Sequence, residues 1–257
     1  MNTSLKTKIA ALISTVLCVL TVLSISACTC TGNLNPTDYS QVKPEATVPA
    51  TTATDEIGVL VQNPIDFQEL RSLNSDLYAW IEIPDTNINY PVAQSSNEDD
   101  NYYLHHNYLG NYEFAGTIYS QRHNSKYFRD PVTVLYGHNM LNGSMFADLH
   151  KFSDEDFFKE HDTMYIYTDG HIFTYKIFAA FEYDDRHILN SFDFADKSIF
   201  ESYLNDCLNP HSLNANVREG VTLTTDDCIL VLSTCTNYNS NLRYLVQGVL
   251  TDDQRTN

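Results

Sequence analysis

The segment Cys228-Ile-Leu-Val-Leu-Ser-Thr-Cys235-Thr-Asn-Tyr-Asn-Ser-Asn-Leu-Arg243-Tyr-Leu-Val-Gln-Gly-Val-Leu250 decides how this chain is read. Two apolar, β-branched runs flank a polar loop, the pattern of an antiparallel strand pair. The loop, 236–241, is rich in Asn and Ser, which tolerate tight turns. Such a hairpin leaves Cys235 at the end of one strand and Arg243 just inside the next, a thiol facing a guanidinium at one rim of a sheet. Arginine keeps its charge, so it can hold a carbonyl oxygen or favour a thiolate. The proton donor missing locally is supplied far upstream by Val134-Leu-Tyr-Gly-His138-Asn-Met140, where His138 sits between a Gly and an Asn at a predicted strand end.

Outward from these segments the pattern stays rich in strands. Strands are expected over 77–83, 88–92, 115–120 and 132–136. A hairpin is expected from 164–167 through Thr168-Asp-Gly170 into 171–183, where residues alternate between two faces. Asn63 as N-cap, Pro64 at the first helical position, and Asp66 and Glu69 behind them predict a helix start. Further helices are expected over 144–150, over 153–161 with Ser153 as cap, and over 197–208 inside a long insertion, 184–220. Many short strands with few helices favour a closed β-barrel over a doubly wound sheet.

The chain has 257 residues, 43% of them hydrophobic, enough for one domain with a true core plus appendages. Its net charge is −18, and the first thirty residues contribute Lys6 and Lys8 and no acid, so the acidity lies in the remainder. Nucleic-acid binding is excluded on that balance, because phosphates need Lys and Arg. After the two lysines comes an apolar run, 9–27, long enough to span a bilayer with a cytoplasmic amino terminus. Ile25-Ser-Ala-Cys28 also resembles a lipobox, with cleavage and lipidation at Cys28. Residues 1–28 are therefore expected to be an anchor or signal segment. Residues 29–62, with Pro36, Pro44, Pro49 and a Thr-rich tract, form a spacer with too little apolar surface to fold. Residues 63–257 are the expected catalytic domain, held outside the cell membrane.

Leu232-Ser-Thr-Cys235 followed by Arg243 resembles the active-site strand of the sortases. Tyr136-Gly-His-Asn-Met140, with Gly143-Ser-Met-Phe146 after it, resembles the histidine segment of class B sortases. Trp80-Ile-Glu-Ile-Pro84, Ile88-Asn-Tyr-Pro91 and Gly116-Thr-Ile118 extend the likeness in the family's order over about 63–250. Val231 departs from it, standing where the family motif usually begins with Thr, and is expected to alter packing rather than chemistry. The resemblance implies an eight-stranded barrel with an amino-terminal helix and a helix between its sixth and seventh strands. It implies a cysteine transpeptidase: Cys235 attacks an amide after Thr in a C-terminal sorting signal and forms a thioester. His138 protonates the leaving amine, Arg243 stabilises the tetrahedral oxygen, and a peptidoglycan-precursor amine resolves the thioester. Phe200-Glu-Ser-Tyr-Leu204 resembles the helix beside the substrate groove, making Tyr203 and Leu204 candidate substrate-binding residues, with Leu104 and Ser233 by position. No cofactor or metal is implied, and a monomer is expected. The partners are sorting-signal-bearing surface proteins, a peptidoglycan amine and the cytoplasmic membrane.

Plainer readings stand beside these. A Cys on an apolar strand is ordinarily a small buried hydrophobe, which fits Cys207 and Cys228, with a Cys207–Cys228 disulfide as a minor alternative. Tyr203 and Leu204 read equally well as residues that dock their helix. The histidines other than His138, including His105-His106 and His150, read as surface residues. Acid clusters such as Glu98-Asp99-Asp100 read as solvated turns rather than calcium sites. Two other functions fit less well. A pilin-polymerising sortase is expected to carry a carboxy-terminal membrane helix where this chain has the polar 251–257. A non-catalytic lipoprotein binding module would rest on the lipobox-like segment alone.

Overall fold

A computed structural model describes residues 60–97, 99–237, 239 and 241–257, all within the unit Pro36–Asn257. The expected anchor 1–28, with its lipobox, and most of the expected spacer 29–62 lie outside the described residues. Among the described residues no helix is long and apolar enough to cross a membrane.

Nine strands form one sheet: β1 (Leu77–Glu82), β2 (Asn89–Ala93), β3 (Ile118–Tyr119), β4 (Val132–Tyr136), β5 (Thr163–Thr168), β6 (His171–Asp184), β7 (Asn216–Val217), β8 (Ile229–Cys235) and β9 (Leu242–Arg255). The order is β5-β1-β2-β3-β4-β8-β9-β6-β7, and β5 also pairs with β6. Eight strands therefore close into a barrel, with the two-residue β7 outside on β6. Closure leaves no long unpaired edge. Among the described residues four α-helices accompany it: α1 (Phe67–Leu73), α2 (Glu155–Glu160), α3 (Ile188–Ser191) and α4 (Lys197–Leu208). Both α3 and α4 lie in the connection between the barrel's sixth and seventh strands, β6 and β8.

The strand period of two sorts side chains between two environments. Leu230 and Leu232 of β8, Tyr244 and Val246 of β9, and Leu135 of β4 share one buried cluster with Ile81, Val92, Ile166 and Ile177, the barrel interior. Their neighbours Ile229, Val231, Leu245, Val249, Val132 and Val134 point the other way, into a second cluster with Phe200, Tyr203, Leu204 and Cys207 of α4. Cys235 and Arg243 share the phase of this second set, so they lie on the face that the α3–α4 connection covers. A third cluster packs Phe67 and Leu70 of α1 against Leu77, Trp80, Tyr119 and Tyr167.

Several boundaries differ from expectation for local reasons. The cap of α1 is Asp66, whose carboxylate accepts from the Gln68 and Glu69 amides, rather than Asn63. Asn63 is buried and donates to the Thr168 carbonyl at 2.8 Å, pinning the entering chain to β5. Likewise Asp154, not Ser153, caps α2, and the expected helix at 144–150 is a 3-10 segment at Ala147–Ser153. The polar tail is not a loop: β9 runs to Arg255, paired with the first half of β6. Cys207 and Cys228 are free thiols, so no disulfide joins them. Val231 is fully buried among the second cluster.

Candidate active site

β8 and β9 pair in a register that sets Cys235 directly across from Arg243, and β9 with β6 in one that sets Arg243 across from Tyr183. The parallel pairing of β4 with β8 brings Tyr136 level with Ser233. Since His138 is two residues beyond Tyr136 and Cys235 two beyond Ser233, both leave the barrel at the same rim. Cys235, His138 and Arg243 all line one cleft of about 340 Å³.

The turn carrying His138 depends on small atoms. The Gly137 amide donates to the Ser233 carbonyl, and the Thr234 hydroxyl donates to the Gly137 carbonyl at 2.8 Å. A Cβ on Gly137 would come 2.4 Å from the Ile118 side chain and 2.8 Å from Phe146, so only glycine fits between them. His138 Nε2 lies 3.0 Å from the Leu104 carbonyl, which can only accept, so Nε2 carries the proton. The chain at Leu104 is held in turn by Gly116, whose missing side chain lets two carbonyls approach to within 2.4 Å of a Cβ position. Burial, and then the neighbouring His105, push the His138 pKa below its ordinary 6.5, with the Leu104 bond opposing. Neutral imidazole is therefore favoured in the resting protein.

The nucleophile's strand end is held by two residues that touch its main chain. Asn139 Nδ2 donates to the Cys235 carbonyl at 3.1 Å and to Asn237 Oδ1 at 2.7 Å. His150 Nε2 lies 3.0 Å from the same Cys235 carbonyl and donates to it. Asn139 thus orients backbone and touches no reacting atom through its side chain. Arg243 donates to the Leu242 carbonyl, and its charge works against the upward shifts that burial imposes on the Tyr119 and Tyr136 phenols. A fixed cation therefore stands beside two unionised tyrosines.

The substrate-binding candidates separate. Leu104 and Ser233 line the cleft with Cys235. Tyr203 and Leu204 do not: each is 3% exposed and packs α4 onto the barrel. Tyr203 donates to buried Gln247 and reaches a second cavity described below, while Leu204 lines a separate cavity with Lys197 and Leu223. The reading of the remaining histidines as surface residues is corrected. His105, His106, His150, His161, His171 and His187 are half-buried, and His123 and His211 are exposed. His105 stacks 5.3 Å from His138, and His187 bonds Gln121 at the cleft. Their partners are distant in sequence, and nothing in local pattern marks them. The cleft also holds Asn101, whose side-chain oxygen accepts from Tyr119 and Gln121, which sequence reasoning missed. Among the described residues no group of three His, Cys, Asp or Glu side chains is arranged to hold a metal ion.

Known proteins share this fold. A family model described as the sortase domain matches residues 81–251. Sortase B of Listeria monocytogenes is 36% identical over 188 residues, covering 72% of this chain and 74% of its own length. Sortase B of Staphylococcus aureus is 25% identical over 169 residues, 66% of this chain and 67% of the relative. The crystal structure of sortase B from Clostridium perfringens superposes with a TM-score of 0.65 at 32% identity, covering 73% of this chain and all of that one.

Proposed function

The chain belongs to the sortase family, in its class B branch, and is a cell-wall sorting transpeptidase; on that premise we propose the residues and steps by which it works. The Cys235 thiol gives its proton to neutral His138 as its sulfur attacks the carbonyl after Thr in a C-terminal sorting signal, and the carbonyl electron pair moves to the oxygen. Arg243 supplies fixed positive charge at that oxygen, a contribution of about 3–4 kcal/mol where one such donor is lost. Collapse of the tetrahedral species breaks the C–N bond as His138 gives its proton to the departing amine, leaving a thioester on Cys235. A peptidoglycan amine then attacks the thioester carbon, the C–S bond breaks, and the amine proton passes through His138 to restore the thiol. The observation that carries this reading is the direct cross-strand pairing of Cys235 with Arg243 at the rim where His138 also lines the cleft.

Leu104 and Ser233 are assigned to the cleft wall that meets the sorting peptide. Tyr203 and Leu204 act by holding α4 over that face. Residues 1–28 hold the enzyme at the outer face of the cell membrane, with residues from 29 to about 60 as spacer. The enzyme works as a monomer and needs no cofactor.

The test is labelling by a sorting-peptide mimic carrying a thiol-reactive group, followed by mass spectrometry. Modification at Cys235, with hydroxylamine-dependent release of acyl hydroxamate from a true peptide substrate, is the expected result. A chain that binds the peptide but never acylates Cys235 would be a binding module instead.

A further inference from the structure

On the far side of Arg243 from Cys235 lies a second cavity, of about 670 Å³, between the ends of β6 and β9, helix α4 and residues 210–214. It shares Tyr183, Asp184, Arg186 and Leu245 with the catalytic cleft, so the two are neighbours across one wall. Its apolar side is made by Phe181, Phe192 and Leu245, and three carboxylates, Glu182, Asp184 and Asp206, also line it. Asp184 is already neutralised by a bidentate bond to Arg186, leaving Glu182 and Asp206 as its uncompensated charges. At the back stands Gln247, fully buried. Its Oε1 accepts from Tyr203 and Cys207, but among the described residues nothing accepts from its Nε2. A buried amide donor left unmade costs about 1–3 kcal/mol. Such a group in a cavity wall fits a ligand carbonyl.

We propose that this cavity is the docking site for the amine-bearing acceptor, a peptide whose carbonyl meets Gln247 Nε2 and whose cationic end is drawn in by Glu182 and Asp206. The proposal rests on the transpeptidase reading above and deepens it. Register supplies the geometry: Cys235, Arg243 and Tyr183 form one row across β8, β9 and β6, and Val231, Gln247 and Ala179 form another four residues along. Four strand residues span roughly 13 Å. An acceptor held at Gln247 therefore reaches the thioester only if its amine lies about that far from the held carbonyl, as at the end of a lysine-type side chain one or two residues further along an extended peptide. It also arrives from the Arg243 side, opposite the cleft wall formed by Leu104 and Ser233, so both substrates can be present at once. The amine must shed its proton before attack, and the transfer then proceeds with the bonds and proton as given above.

The test uses the full-length chain and a fluorescein-labelled tripeptide, Ala-Lys-Ala, with blocked termini, read by anisotropy. Binding is expected to weaken at least tenfold when the lysine is acetylated. A comparable loss is expected in Gln247→Leu and in the paired change Glu182→Gln with Asp206→Asn, which alters exposed or half-exposed carboxylates only. A photoreactive version of the peptide should crosslink to α4 or to 209–214. Equal binding of the acetylated peptide, unchanged binding in the paired carboxylate variant, crosslinking elsewhere, or no binding by the wild type would each overturn the proposal. Hydroxamate release at Cys235 is measured separately. If it fails, the transpeptidase reading fails; if it succeeds while peptide binding ignores these residues, only the docking site is wrong.

Discussion

The side-chain amide of Asn139 donates to the main-chain carbonyl of Cys235, tying the residue after the candidate acid to the candidate nucleophile across 96 positions of sequence. His150 donates to the same oxygen, and Asn237 takes the second Asn139 proton. The distance between acid and nucleophile is thus set by main-chain anchors rather than by contact of the two side chains. Asn139→Ala should lower acylation about tenfold with little change in KM, because misplacement of reacting groups costs rate before binding. Loss of the bonds should also cost about 1–3 kcal/mol of stability. Wild-type acylation in this variant, measured by hydroxamate release, would show that the anchor is dispensable.

Cys235→Ala and Cys235→Ser should abolish cleavage and transfer while leaving the melting temperature nearly unchanged, since the half-buried thiol at a strand end fills little core. Cys207 differs. It is buried against Gln247, and burial pushes its thiol up to about 12, which keeps it unreactive. Cys207→Ser and Cys228→Ser should retain most activity. Mapping of iodoacetamide adducts on the wild type at neutral pH is expected to find Cys235 modified and Cys207 untouched.

If Arg243 holds the developing oxyanion, Arg243→Lys should lose about 10²–10³ in kcat, because an ammonium cannot reproduce the planar fork. His138→Ala should lose a comparable factor through failure to protonate the leaving amine. The two can be told apart with an activated ester donor, whose leaving group needs no proton. His138→Ala should regain much of its acylation rate on the ester, and Arg243→Lys should not. Near-wild-type rates in either variant on the peptide would mean that the roles are misassigned.

Where local chemistry determines structure, the chain was legible. Helix α4 begins and ends at 197 and 208 as read, because Asp196 caps it and the apolar residues Phe200, Tyr203, Leu204 and Cys207 share one face. The Cys235–Arg243 opposition follows from two strand patterns and a turn. What escaped was settled through space. Asn63 reads as a cap, yet its side chain is bonded to Thr168, 105 residues away. Residues 251–255 look like a polar tail because this end of β9, though paired with β6, is itself largely exposed, where no hydrophobic alternation is needed. His105 and His150 acquire meaning only from His138 and Cys235, which the barrel brings beside them.

The buried imidazole gives stability a pH dependence of defined sign. In the folded chain His138 protonates below its ordinary 6.5, because burial and His105 oppose the charge. The unfolded chain then binds more protons over the window between the depressed value and 6.5. Its contribution to stability is complete above 6.5 and is lost as pH falls through that window, levelling off below the folded value. His138→Gln should therefore lose less melting temperature than wild type between about pH 7 and about pH 5. His187, depressed by burial and by His123, remains in both proteins and cancels in the comparison. Parallel melting curves for the two would contradict the assignment.

The amino-terminal limit of the folded unit can be located by truncation. Val61 pairs with the far end of β9: its amide donates to the Arg255 carbonyl at 3.0 Å, and the Val61 carbonyl accepts from the Asn257 amide at 3.3 Å. Two residues on, Asn63 holds Thr168 and receives the Ile65 amide. These contacts put Val61 and Gln62 on the barrel rather than in the spacer to which composition assigned them. Deleting residues 1–59 should give a monomeric, active protein by light scattering and hydroxamate release, because the Pro/Thr-rich stretch offers little apolar surface to bury. Deleting residues 1–63 should cost a further 1–3 kcal/mol or so, as the Thr168 carbonyl and the end of β9 lose their partners. If the shorter deletion already aggregates or unfolds, residues before Leu60 contribute to the domain. If both deletions melt together, the Val61 and Asn63 bonds do not hold the barrel closed.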